Sequence, residues 1–417
     1  MKKCILPKLL LACVAALMCV QDIAAQEAYA EFTESSSTLS FYYDAQRSSR
    51  NGTTYDLNTG NDEPDWSGED VELVVFDPTF ATARPTSTCR WFAEMYDLES
   101  ITGLEYLNTS NVTNMSRMFE SCSTLADIDV SNFSTVNVTD MSSMFESCEA
   151  LTHLDLSNFS TVNVTNMSSM FASCEALIDI DLSNFSTVNV TDMSGMFWDC
   201  ENLTNLDVSN FNTQNVKNMS WMFKGCAGLT RLDLSSFNTS NVTDMSRMFA
   251  ECESLANLDV SSFNTQNVND MFYMFSKCAG LTSLDLSNFN TVNVLNMGKM
   301  FLGCVGLTSL DLNGFNTANV YNFDYMFSSC SALKNLDLRS FNTVSATSMN
   351  FMFACCNELE SISVSSQWTT KSVKESSAMF DYCTKLKGGK GTSYNPDHSN
   401  ADYAHIDGGA SNPGYFN

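Results

Sequence analysis

The chain of 417 residues contains little histidine, little proline and little positive charge. Three His are too few to favour a histidine-based active site. The chain has 21 Lys and Arg and 48 Asp and Glu, which gives a formal net charge of −27. DNA, RNA and anionic lipid all attract proteins through basic patches, so this balance argues against each of them as a partner. No P-loop, G-x-G-x-x-G or H-E-x-x-H pattern occurs. Composition therefore disfavours nucleic-acid binding and, more weakly, catalysis.

The N-terminus has the pattern of an export signal. Lys2, Lys3 and Lys8 precede an apolar run from Leu9 to Val20, and small residues close the segment at Ala25. Residues 1–25 are predicted to be a cleaved secretory signal peptide. A lipoprotein signal ending before Cys13 is the alternative, since Leu-Leu-Ala-Cys loosely resembles a lipobox. No later apolar run approaches 18 residues, so we expect a secreted or cell-surface protein without a transmembrane span.

A repeat of 26 residues dominates the rest of the chain, and its cysteines make it visible. They recur at a constant spacing at Cys122, Cys148, Cys174, Cys200, Cys226, Cys252, Cys278, Cys304, Cys330 and Cys356. Within one unit, Leu154-Asp155-Leu156 alternates as a strand with one buried face does. The apolar residues from Met167 to Leu177 are spaced as on a short helix.

One strand and one helix in 26 residues cannot bury their own apolar faces, whereas stacked neighbours can. The sequence therefore predicts an α/β solenoid of about eleven coils, with a parallel sheet on one face and short helices on the other. At the spacing of parallel strands, the stack would span roughly 50 Å. Residues 26–98 are expected to form a β-rich N-terminal cap, residues 99–386 the solenoid, and residues 387–417 a Gly-, Asn- and Tyr-rich tail.

The repeat resembles a known family. The frame C-x-x-L-x-x-L-D-L-S-x-F, followed by N-V-x-x-M-x-x-M-F-x-x-C, is similar to the BspA-type leucine-rich repeats of bacterial surface proteins, in particular their Mycoplasma-lipoprotein-associated subgroup. The likeness covers Ile101 to about Leu386. It implies a leucine-rich-repeat fold and adhesion to host matrix or to other cells through the sheet face. Phe159 stands where the wider class has an Asn, so the backbone-bonding role of that Asn is expected to pass to Asn163.

A residue that recurs at the same position of every unit forms a row across the stacked coils. The most informative of these rows is acidic. Its members alternate with inward Leu or Val and should point out of the sheet: Asp129, Asp155, Asp181, Asp207, Asp233, Asp259, Asp285, Asp311 and Asp337. They form either a solvated row relieved by bonds to neighbouring Ser and Asn, or a docking strip for a basic protein segment or cations. A variable row two residues earlier, which includes His153 and Arg231, is predicted to face the same way.

Other rows favour structural roles. The cysteines are expected to be buried free thiols. The mature chain would contain 13, an odd number that cannot all pair, and stacked helices would hold the thiols too far apart for disulfides. Disulfides or a row of metal sites are the alternatives. An Asn row that includes Asn137 and Asn163 is expected to bond the backbone of adjacent coils. Trp221, Tyr273, Tyr325 and Phe351 share a helix row, where they are either half-buried between neighbours or free to stack on sugars.

The leading hypothesis is an exported, surface-associated repeat protein that binds a protein partner, has no catalytic residues, and uses no cofactor or metal. A carbohydrate-binding surface protein is the second hypothesis, to which the aromatic row and Trp198 point. An enzyme with a site in the caps, near His398 and His405, is the third.

Overall fold

The computed structural model describes residues 25–417; the predicted signal peptide lies almost wholly outside these residues. The described chain contains nine strands: β1 (Glu27–Thr33), β2 (Thr38–Asp44), β3 (Thr53–Asp56), β4 (Leu73–Phe76), β5 (Ser100–Thr102), β6 (Ser283–Asp285), β7 (Ser309–Asp311), β8 (Asn335–Leu338) and β9 (Ser361–Val364). Short 3-10 turns lie at Glu34–Ser36, Arg47–Ser49, Pro78–Thr82, Leu104–Tyr106, Pro396–His398 and Ala401–Tyr403.

The N-terminal cap is a five-stranded mixed sheet in the order β3-β1-β2-β4-β5. β1 pairs antiparallel with β2 and β3, whereas β2, β4 and β5 are parallel. Phe41 lies at the centre of its core, stacked on Phe76 at 4.6 Å and on Trp91 at 5.1 Å between ring centroids. The cap leads directly into the repeats, because β5 is the strand segment of the first, degenerate unit.

The repeats form the predicted solenoid of about eleven coils. A continuous series of parallel backbone bridges joins consecutive coils from Ser87–Asn114 to Ser348–Glu375. Inside the stack, one Phe per coil lies on the next from Phe92 to Phe380, with ring centroids 5.3–6.1 Å apart. The Met, Cys, Val and Leu rows of the repeat are buried beside them. The core is therefore one apolar column that runs the length of the solenoid.

The predicted helices are wrong: residues 25–417 contain no α-helix. In the segment that begins at Met167, the backbone N–H groups of Met170 and Cys174 donate to carbonyls three residues back. The N–H groups of Met167 and Ser169 instead donate to Asp192 and Ser194 of the next coil. Ser169 and Ser173 adopt positive φ, 53° and 55°, which a helix does not allow.

The physical reason lies in the spacing of the coils. Parallel strands lie about 4.8 Å apart, whereas a helix with its side chains is about 10 Å wide. Helices in every coil would force the coils to spread on that side. Successive tight turns place Met167, Met170, Phe171 and Cys174 inward just as a helical stripe would, and they keep the coils at strand spacing.

The predicted sheet along the Leu-Asp-Leu segments forms regular strand pairs only near the C-terminal end. β6 pairs with β7 in the register Asp285–Asp311, and β8 pairs with β9. The continuous bridges run instead through the row of Asn114, Asp140 and Asn166, at the start of the segment predicted as helix.

The residues after 386 close the end of the stack. Phe416 bridges to Ile362 of β9, and Asn417 N–H donates to the Ile362 carbonyl at 2.9 Å. Tyr415 and Phe416 are fully buried. The chain terminus thus covers the edge that the last strand would otherwise expose.

Candidate functional site: the acidic face

The Asp row faces solvent as predicted. Every member except the half-buried Asp337 is exposed, and the apolar residues on either side of each Asp point into the core. Neighbouring members sit on adjacent coils, so their backbones are about 4.8 Å apart. We refer to this row, with the variable row two residues earlier, as the acidic face.

Each carboxylate of the row is held by the backbone that follows it. Asp155 Oδ1 accepts from Ser157 N–H at 2.9 Å, and Asp181 accepts from Ser183 at the same distance. The bond recurs in all nine coils, with the donor two residues after each Asp. The repeated geometry fixes where the negative charges point.

These bonds also keep the carboxylates ionised. Hydrogen bonds from the backbone N–H and hydroxyl of the serine two residues on lower the pKa at Asp129, Asp155, Asp181, Asp207, Asp233, Asp259 and Asp285. The charge of Asp129 and Asp181 raises the pKa of Asp155, but less than the bonds to Ser157 lower it. The row therefore stays charged although its members repel one another.

The two halves of the solenoid differ in charge when all their residues are counted. Residues 99–208 contain 16 Asp and Glu against a single base, Arg117, whereas residues 209–386 contain 14 against 11. In the acidic half, the variable row adds Asp127 and Asp179 beside the Asp row. At the far end, the side chain of Arg339 donates to Asp337 and lowers its pKa.

The two non-acidic site residues lie on the same face. His153 is exposed and its Nδ1 is 3.5 Å from Asp179 Oδ1. Together with Asp155, Asp181 and Asp207 it lines a shallow depression on the surface. Arg231 is exposed in the next part of the same row, where the strongly acidic half ends.

The cysteine row is buried and unpaired as predicted, but the helix-based reason for it is wrong. In the described part of the chain all 13 cysteines are free, and only Cys355 is half-buried rather than buried. Each thiol of the row donates to a Phe carbonyl of the preceding coil, as Cys226 does to Phe197 at 3.1 Å. Burial raises the pKa of Cys174 and Cys252 to about 12. The thiols stay unpaired although strand spacing brings them close together.

The structure confirms that the Asn row bonds the backbone of adjacent coils. Asn163 Nδ2 donates to the Val136 carbonyl of the preceding coil at 2.8 Å, and the bond recurs from Asn137 to Asn319. A second Asn row was missed, in which Asn158 donates to Val130 and Phe133. The available signal was an Asn just before the Phe in five of the units, at Asn132, Asn158, Asn184, Asn210 and Asn288.

The aromatic row is half-buried between neighbouring coils, one of its two predicted states. Trp198 and Trp221 meet edge to face at 5.3 Å between ring centroids, and Arg247 covers Trp221 at 4.3 Å. In the tail, His398 stacks on Tyr403 and His405 contacts the Ile406 carbonyl. No ion pair joins either tail histidine to a carboxylate within residues 25–417.

The stacked coils, the buried rows and the rigid outward face define a solenoid of the leucine-rich-repeat kind. A family described as "Mycoplasma protein of unknown function, DUF285" matches residues 86–186, 176–283 and 277–393. The chain belongs to this family, and its repeats are of the BspA type.

Two solved structures are similar to this chain. One is a leucine-rich repeat protein from Bacteroides ovatus ATCC 8483, with 15% identity, a TM-score of 0.38, and coverage of 88% of this chain and 94% of that one. The other is a leucine rich cell surface protein from Faecalibacterium prausnitzii A2-165, with 14% identity, a TM-score of 0.33, and coverage of 84% and 92%. The comparison with curated proteins finds no match. Between residues 25 and 417, no helix is long and apolar enough to cross a membrane.

Proposed function

We propose that this protein is exported to the cell surface, where it adheres to a basic protein, from host matrix or another cell, through its acidic face. The observation that carries the proposal is the row of outward carboxylates, each fixed by the same backbone bond on a stacked scaffold. A preorganised surface loses little conformational freedom when a partner binds.

The excess of acidic residues favours the acidic half, residues 99–208, as the docking region. The backbones of neighbouring Asp residues are about 4.8 Å apart, well within the Debye length of about 10 Å at 0.1 M salt. A partner rich in Lys or Arg therefore experiences their summed field. With one base among 16 acids, little in this half neutralises that field.

The test measures the affinity of residues 26–417 for a panel of purified matrix proteins at 50 and 500 mM salt. The diagnostic variant changes Asp129, Asp155 and Asp181 to Asn. Asparagine keeps the oxygen that accepts from the following N–H and removes only the charge. We expect the affinity to fall about tenfold or more, since three adjacent charges that pair with the basic partner are removed.

The matched control changes Asp259, Asp285 and Asp311 to Asn in the less acidic half. It removes the same number of charges from the same row, so it should weaken binding less than about twofold. Equal loss in both variants, or an affinity that does not change with salt, would contradict docking at the acidic half.

A further inference from the structure

A stack of alternating rings and cations runs along the turn side of the solenoid. We call it the aromatic stack; it takes one residue per coil and consists of Trp221, Arg247, Tyr273, Lys299, Tyr325 and Phe351. Lys299 Nζ lies 4.8 Å from the Tyr273 ring centroid and 5.1 Å from that of Tyr325. Each member inside the stack is therefore covered on both sides, and its ring face is not available to a ligand.

The aromatic stack ends abruptly at Phe351. This ring lies on Tyr325 with centroids 4.7 Å apart and planes 10° from parallel. The next residue of the row is Ala378, whose methyl group cannot cover a ring. Within the described residues, no aromatic or cationic side chain stacks on the other side of Phe351. One ring face at the end of the stack is left open.

That end of the stack lines a cleft between the last coils and the C-terminal segment. Its volume is about 760 Å³, and Tyr325, Phe351 and Ala378 line it together with polar residues. The polar side is formed by Asn350, Lys374, Glu375, Ser376, Ser377, Ser399 and Asn400. The volume lies in the range of small-ligand sites, and this cleft is more open and more polar than most of them.

Asn350 connects two of the polar residues of the cleft. Asn350 Nδ2 donates to Glu375 Oε2 at 3.1 Å, and Asn350 Oδ1 accepts from Ser377 N–H at 2.9 Å. Glu375 keeps further acceptor capacity, and the ammonium of Lys374 has no carboxylate within 4.0 Å in the described chain. The cleft thus offers fixed acceptors and a free donor beside an apolar ring.

We propose that this cleft binds a neutral pyranose unit of a glycan. A pyranose has a flat face of C–H groups that packs on an aromatic ring, and its rim of hydroxyls both donates and accepts hydrogen bonds. Phe351 supplies the ring, while Asn350, Lys374 and Glu375 supply the polar partners. The site is separate from the acidic face and does not depend on the function proposed for it.

The sharpest test closes the cleft without disturbing the stack. Ala378→Tyr places a third ring over Phe351, and the backbone tolerates it because Tyr273 and Tyr325 occupy the same row at similar φ, 60° and 55° against 52° at Ala378. Phe351→Ala removes the platform instead. Phe272→Ala is the matched control, since it removes a half-buried ring on the same side outside the cleft.

Residues 26–417 and the three variants are screened on a glycan array, and each hit is titrated by calorimetry with the free oligosaccharide. We expect at least one hexose-containing glycan to bind the unchanged protein. Ala378→Tyr and Phe351→Ala should each weaken it about tenfold or more, the loss that corresponds to about 1.4 kcal/mol, and Phe272→Ala should not.

The proposal is overturned if no glycan binds, if binding survives Ala378→Tyr, or if Phe272→Ala weakens it as strongly. Binding of an aromatic peptide in place of any sugar at the same cleft would also overturn it. Adhesion to matrix proteins should be the same in Ala378→Tyr as in the unchanged protein, so the two proposed functions can fail separately.

Discussion

At the residue scale, the repeat solves a problem that every tight turn creates, namely backbone groups left without partners inside the molecule. A row of buried threonines that we did not single out from the sequence carries much of the solution. Thr213 is fully buried; its Oγ1 donates to the Asn238 carbonyl at 3.0 Å and accepts from the Asn238 N–H at 2.8 Å. One hydroxyl thus satisfies both backbone groups of a residue in the next coil.

Replacing Thr213 with Val tests this role. Valine has nearly the same shape, so the change removes the partner of the Asn238 N–H and carbonyl, which costs about 1–2 kcal/mol of unfolding free energy for partly buried groups. The measurement is the shift of the urea unfolding midpoint. The exposed Thr204 offers the control, because its change to Val should shift the midpoint far less. Similar midpoints for the two variants would argue against the hydroxyl as a link between coils.

At the element scale, the cysteine row shows how stacking protects a reactive group. Its thiols are buried, donate to carbonyls and have raised pKa values, so they lack both access and the thiolate form that reacts. This holds in a chain that we expect to be exported, where oxidation of exposed thiols is common.

With residues 26–417, which contain 13 Cys, we expect Ellman's reagent at pH 8 to label one thiol per native molecule, Cys355, and all 13 after unfolding in guanidinium chloride. In Cys355→Ala the native protein should release almost no chromophore. Rapid labelling of several thiols without denaturant would show that the row opens readily, contrary to this view of the core.

A single carboxylate collects four hydrogen bonds within the C-terminal segment. Asp407 accepts from the N–H groups of Lys390, Thr392 and Gly409 and from the Thr392 hydroxyl, at 2.8–3.1 Å. Burial raises its pKa, but these four bonds outweigh it and hold the pKa well below the ordinary value.

A lowered pKa means that Asp407 stabilises the segment above the ordinary carboxyl pKa of about 4, and that this contribution is lost as the pH falls below it. Hydrogen exchange at the amides of Lys390, Thr392 and Gly409 should therefore show weaker protection at pH 3 than at pH 6, relative to interior coils. Asp407→Asn should show weak protection at both pH values. The exposed Asp402→Asn should behave as the unchanged protein does; if it matched Asp407→Asn, general charge rather than this site would be responsible.

At the scale of the whole molecule, each coil contacts only its neighbours, so coils should be removable as units. Deleting residues 255–280 takes out one full repeat and joins Ser254 to Leu281 in register. We expect a folded protein with cooperative unfolding, shorter by about 4.8 Å in its longest dimension by small-angle X-ray scattering.

Deleting residues 255–267 provides the comparison. It removes half a repeat and brings the polar turn of one coil against the apolar segment of the next, so cooperative unfolding should disappear. If the half-repeat deletion folded as well as the full one, register between coils would not be what holds the solenoid together.

A repeat period shows which positions of each unit are apolar and which are polar, and the sequence predicted the parts of the structure that depend on this pattern. A spacing of 26 residues in the cysteines required stacked coils, and alternation in Leu154-Asp155-Leu156 required that the acids face outward. The hydrogen bond from Asn163 to the preceding coil was predicted because the backbone N–H and C=O groups of a tight turn need partners. The Thr213 row was missed although a Thr recurs at this position in every unit from Thr109 to Thr343, because its neighbours are also Ser, Thr and Asn.

What the sequence determined is therefore which side chains point inward, since inward and outward positions differ in polarity in every unit. The tertiary structure decided the backbone that carries them. A stripe from Met167 to Cys174 fits a helix or a run of tight turns equally well, and only the strand spacing between neighbouring coils selects the turns. The open ring face of Phe351 was likewise fixed by packing, because it depends on which residue of the next coil, Ala378, lies above it.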